Sequence, residues 1–217
     1  TLAALHHELG TLLHKRDHLD RATFHYRRAF DLDPSRLTSI YAAREIYRTT
    51  GNVTAALELY ELEVQAEPDL TRKLTLLREL SHVSATMAND FDASVRALHQ
   101  AHALAPTDTT VIHELATALL GRAERSRTRG ATQAEAADNQ DAARLYIELA
   151  ARVPASRGIK YLLDALDAAP GDDDALSRLE QLTDTIHRRD LLPDRWVRYL
   201  EASPQGLLAA GVRLRLG

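Results

Sequence analysis

The sequence contains no cysteine. Disulfide frameworks, thiolate zinc sites and thiol catalysis are therefore excluded. Glycine and proline are sparse, at nine and seven of 217 residues, and aromatic residues make up only 5%. That is thin material for the turns and packed faces of a β-sandwich or barrel. Lysine is nearly missing as well: Lys15, Lys73 and Lys160 are the only ones, so the positive charge is carried by arginine. No apolar run approaches the roughly 20 residues that span a bilayer as a helix, and no leader peptide is visible. A Gly-rich phosphate loop, a serine elbow and a carboxylate pair set against an apolar background are all lacking, so no catalytic residue, metal or cofactor is assigned and no enzyme is expected. The formal net charge of −4, with both signs interspersed, speaks against a dedicated nucleic-acid binder. A cytoplasmic protein that does not engage a membrane is expected. The chain opens on Thr1, already inside an amphipathic pattern, and reads as part of a longer protein.

Alanine, leucine and arginine are abundant, and these are strong helix formers. The few prolines are not scattered. Pro34 and Pro68 lie 34 residues apart, as do Pro170 and Pro204; Pro106 follows Pro68 after 38 residues and Pro154 follows after a further 48. Residues between them keep the same phase. Ala22, Ala56 and Ala142 each precede their proline by 12 positions, and Tyr26, Tyr60, Leu98, Tyr146 and Trp196 precede theirs by eight. Leu9 and Leu13, then Ile40, Ala43 and Tyr47, mark a second helix upstream. A small alanine lets two helices approach closely, the aromatic a turn later fills the gap, and proline stops the helix. An amphipathic helix pair cannot bury its apolar face alone, so repeats of this kind stack.

At these positions the chain resembles the tetratricopeptide repeat family. The resemblance implies an all-α fold, a right-handed superhelical solenoid of antiparallel helix pairs. A single array is expected, with repeats at 3–36, 37–70, 73–106 and 109–154, an extra helix at 156–169, a repeat at 171–204 and a terminal helix at 205–217. Helices are expected at 2–16, 19–32, 37–50, 53–67, 71–88, 91–105, 108–126, 135–152, 156–169, 173–188 and 191–202. Asn52, Asp90 and Asp172 stand where side-chain oxygens cap helix starts. The fourth repeat holds about 14 residues beyond the 34-residue period, near 121–140. They are expected to form a longer first helix and then a flexible, solvated loop carrying Arg122, Arg125, Arg127 and Arg129.

Two segments, His7-Glu8-Leu9-Gly10-Thr11 and His113-Glu114-Leu115-Ala116-Thr117, begin like a zinc-binding helix but have threonine where the second histidine belongs; their matching repeat positions explain them. Histidines His6, His7, His14, His18 and His25 crowd the first repeat and are expected at exposed polar positions. Tyr47, Tyr60, Tyr146 and Trp196 are expected in the core. In the family, the first helix of each repeat lines a concave groove. Carried over position by position, this resemblance implies a peptide-binding set of His7, Thr11, His14, Tyr41, Glu45, Arg48, Glu79, Val83, His113 and Thr117. That set has no asparagine and only scattered cations, so the carboxylate clamp of chaperone adaptors is not expected. The middle of the groove, with Leu76, Val83 and Met87, reads as an apolar anchor site. The implied function is a non-catalytic scaffold holding a peptide or protein. Alternatives are a regulatory or self-assembly module acting end to end and, less favoured, an RNA-associated repeat using the arginine segment.

Overall fold

The computed structural model describes all residues, Thr1–Gly217. It is all-α, and the chain forms two compact units, Thr1–Leu104 and Ala105–Gly217.

The first unit contains α1 (Leu2–Lys15), α2 (Leu19–Leu32), α3 (Leu37–Thr49), α4 (Val53–Ala66), α5 (Leu70–Thr86) and α6 (Phe91–Leu104). Short connections reverse the chain at each step, so α1 packs on α2, α3 on α4 and α5 on α6, with α2–α3 and α4–α5 contacts joining the pairs. Ala22, Ala29, Ala43 and Ala56 are completely buried. With no side chain beyond Cβ, they let facing backbones approach. Around them Leu13, Tyr26, Phe30, Ile40, Ile46 and Leu59 close a continuous core, each large side chain contributing about 1.5–3 kcal/mol of transfer free energy. Helix starts are capped as expected: Asn52 Oδ1 accepts from Ala55 N, and Asp90 Oδ1 accepts from Ala93 N at 2.9 Å.

The second unit contains α7 (Thr109–Thr128), α8 (Thr132–Ala150), α9 (Ala155–Ala168), α10 (Asp173–Thr185), a 3₁₀ turn (Arg189–Leu191), α11 (Leu192–Ala202) and α12 (Ala209–Leu216). Helix α9 packs on both α8 and α10, and α11 packs on α12. Asp172 caps α10 through Ala175 N at 2.9 Å.

One expectation is corrected here. The additional residues of the fourth repeat do not form a flexible loop; they lengthen both helices of the pair to 20 and 19 residues. A tight turn joins them, with Gly130 at φ +73°, a left-handed conformation natural to glycine. Arg122 and Asp138 explain why the extension stays folded. The guanidinium donates from Nε to Oδ2 at 2.9 Å and from Nη2 to Oδ1 at 2.7 Å, clamping α7 to α8.

Candidate functional site

Nine of the ten side chains carried over by resemblance gather in three places, and Val83 lies apart from them in the core. His7, Thr11 and His14 project from α1 around Tyr26 of α2. Thr11 Oγ1 donates to the His7 carbonyl and receives a hydrogen bond from the Tyr26 hydroxyl at 3.3 Å. The His7 ring is tilted against Tyr26, and its Nδ1 lies 2.8 Å from the buried Ser39 hydroxyl. His113 and Thr117 repeat the pattern in the second unit. Thr117 Oγ1 donates to the His113 carbonyl at 2.9 Å, a hydrogen bond joins Thr117 to Tyr146, and the His113 ring stands against Tyr146 and Tyr161. Beside that cluster, burial pushes the Asp164 carboxyl up despite Lys160.

Tyr41, Glu45 and Arg48 of α3 and Glu79 of α5 come together around a residue absent from the sequence-derived set. Arg44 lies on the core side of α3, and its side chain is only 2% exposed. Its guanidinium stacks 4.0 Å from the ring centre of Tyr60 and 5.0 Å from that of Tyr41. Nη1 is 3.1 Å from Glu63 Oε2 and 3.5 Å from Glu79 Oε2; Nη2 is 3.5 Å from Glu45 Oε1. Glu45 is also gripped by Arg48, through Nε at 3.1 Å and Nη2 at 2.6 Å. One buried cation thus serves three carboxylates. Glu63 is nearly fully buried, and its carboxyl is pushed up to about 7. Burial is the larger cause; the pull of Arg44 opposes it without overcoming it, and neighbouring Glu79 and Glu67 add to the rise. Burial likewise lifts the Tyr60 hydroxyl to about 12. Arg44 Nε has no hydrogen-bond partner, a costly arrangement for a buried charge.

What reaches solvent above Arg44 is a fixed polar surface. Tyr41 is 51% exposed with one ring face backed by the guanidinium. Exposed Arg48 and Glu79 flank it. A mid-helix arginine between Ala43 and Ile46, with a matching glutamate on the core face of the next helix, is the pattern by which the sequence signals such a network.

Val83 is placed otherwise than expected. Along with Leu76 it is buried in the core, so these two do not form an apolar groove centre, while Met87 stays exposed. Trp196 is also off its expected core position: it is half-buried, and its Nε1 donates to Glu180 Oε1 at 2.7 Å. Tyr60 and Tyr146 are in the core as read, and Tyr47 is half-buried. His6 and His25, expected in exposed positions, are half-buried and pair through Nδ1 atoms 2.9 Å apart. No helix is long and apolar enough to cross a membrane.

Comparison of the sequence with family profiles and with curated proteins finds no match. Solved structures with a similar helical arrangement include YrrB, described as a TPR protein with an unusual peptide-binding site, at 17% identity and a TM-score of 0.39, over 96% of this chain and 90% of that one. MamA aligns at 15% identity and a TM-score of 0.43, over 94% and 93% of the two chains. The C-terminal part of a TPR repeat-containing protein from Cytophaga hutchinsonii aligns at 17% identity and a TM-score of 0.48, over 98% and 73%. At such identities the assignment rests on the chain's own helix pairs and buried signature residues. By these, the chain is an all-α array of antiparallel helix pairs, an arrangement that resembles tetratricopeptide repeats.

Proposed function

We propose that the chain is a non-catalytic interaction module, and that the α3–α5 face around Tyr41 holds a peptide or protein segment. The observation that carries this reading is the Arg44 network. A buried cation that is short of one hydrogen bond is a poor device for stability. Here it holds Tyr41, Glu45 and Glu79 in set positions, and preorganised polar groups around an aromatic ring are what a binding surface needs. The chemistry suits an extended or helical segment that places an apolar or aromatic group on Tyr41 and charged groups beside it. Peptide arrays probed with the intact chain, and with Tyr41→Ala and Arg48→Ala, test the assignment. Peptides that bind the intact chain are expected to lose most of their signal in both variants. Full retention in both removes this face from consideration.

A second reading has its own observation. Leu2, Leu5, Leu9 and Leu12 form an exposed stripe along α1, joined by exposed Phe24 of α2. Such a stripe favours self-association. Light scattering across a concentration series is expected to show growth in mass that Leu5→Glu abolishes; constant monomer mass excludes it. The RNA reading is less supported, because Arg122 is held by Asp138 and Arg127 by Glu124.

A further inference from the structure

Trp196 is the only tryptophan in the chain, and its surroundings are not those of a core residue. Its indole Nε1 donates to Glu180 Oε1, and the same oxygen accepts from Arg215 Nη1. The Arg215 guanidinium lies over the indole, 5.8 Å from its ring centre. These three residues, with Asp184, Arg189 and Leu192, line a cavity of about 310 Å³. Asp184 is occupied by Arg189, which holds its carboxyl below the usual range. The cavity therefore balances two carboxylates against two guanidiniums. Without Arg215 it would keep an aromatic face, one open carboxylate and a net charge of −1.

Arg215 is delivered by α12, which is lightly attached. That helix sends only Ala209 and Val212 into the core, while Leu214 is 85% exposed. One buried valine supplies about 1.5–3 kcal/mol, a holding energy that an incoming ligand can replace. We propose that the cavity on α10 and α11 is a guanidinium-binding site that Arg215 fills in cis, and that it accepts an arginine side chain from a partner segment when α12 yields. The cation–π face and the carboxylate beside it are the two elements that recognise arginine. A lysine ammonium presents no planar fork to match them. This site is distinct from the α3–α5 face and does not depend on it.

Emission from Trp196 reports on the cavity alone, because no other tryptophan contributes. The probe is N-acetyl-arginine amide, titrated into the full chain and into Arg215→Ala. A saturable change is expected in Arg215→Ala, with about tenfold more probe needed in the parent chain, where Arg215 competes. Adding Glu180→Gln to Arg215→Ala is expected to weaken binding about tenfold, and N-acetyl-lysine amide is expected to bind about tenfold less tightly than the arginine probe. Circular dichroism checks the fold; should Arg215→Ala lose it, Arg215→Gln serves in its place, keeping the stem against the indole. Absence of a saturable response, an equal response to the lysine probe, or a response indifferent to Glu180→Gln overturns the proposal.

Discussion

Arg44 and Glu63 set opposing demands at the residue scale. Glu63 is held protonated to about pH 7 by burial, above its ordinary value near 4.5. The folded state therefore binds this proton more tightly than the unfolded chain. The stability it contributes is fully present below pH 4.5 and is lost as pH rises through about 7, amounting to about 3 kcal/mol. Urea unfolding at pH 5 and pH 8 is expected to show a larger loss for the native sequence than for Glu63→Gln; equal losses would refute the assignment. Arg44→Met removes the cation in direct contact with Glu63 and is expected to cost about 3–5 kcal/mol at pH 8. At pH 5 the cost shrinks, because Glu63 is then neutral. His25 runs the other way. Burial, and then the charges of His6 and Arg21, lower its pKa. Its neutral form is favoured on folding, so the stability it supplies is lost as pH falls below its ordinary value of 6.5. Ring-proton NMR is expected to show His25 titrating below that value.

At the scale of helices, two close approaches decide sensitivity to substitution. A Cβ on Gly10 of α1 would lie 2.8 Å from Tyr26 Cδ1. Replacing glycine by alanine inside a helix ordinarily gains about 1 kcal/mol of propensity. Here the buried Tyr26 ring would have to move and its bond to Thr11 would break, at about 1–3 kcal/mol for overpacking. The clash wins, so Gly10→Ala is expected to lower the melting temperature. The α7–α8 pair is the second case. Asp138→Ala strips Arg122 of a bidentate partner and is expected to cost about 2 kcal/mol in denaturant unfolding. With the pair intact, trypsin should cleave slowly between Arg122 and Arg129; rapid cleavage there would restore the flexible loop. The longer first helix is legible in the sequence, but the loop expected after it is not found, because a 34-residue period assigns no helical turns to the additional residues. The Arg122–Asp138 bridge, 16 residues apart and across a hairpin, is invisible until the turn is formed.

For the whole molecule, two compact units each carry a core of their own. Repeat arrays are held by neighbour contacts, so their cooperativity can divide. Trp196 reports the second unit alone, whereas far-ultraviolet circular dichroism reports all helices. Melting curves from the two probes are expected not to coincide; superimposable curves would establish a single cooperative transition.

Residue order alone determined much of this protein. The 34-residue spacing of prolines, the buried alanines and the aspartate and asparagine caps act within one turn or between adjacent helices. Helix positions, the repeat class and the inward turn of Tyr60 and Tyr146 follow from such short-range rules. His7 and Thr11, and likewise His113 and Thr117, were legible as equivalent pairs because four residues bring two side chains to one helical face. The tertiary structure alone decided the polar chemistry. Arg44 meets Glu63 and Glu79 across three helices, Val83 turns inward, and Arg215 reaches Trp196 from a separate helix. The two arginine contacts join partners 19 or more positions apart, and no local period encodes which of them will meet.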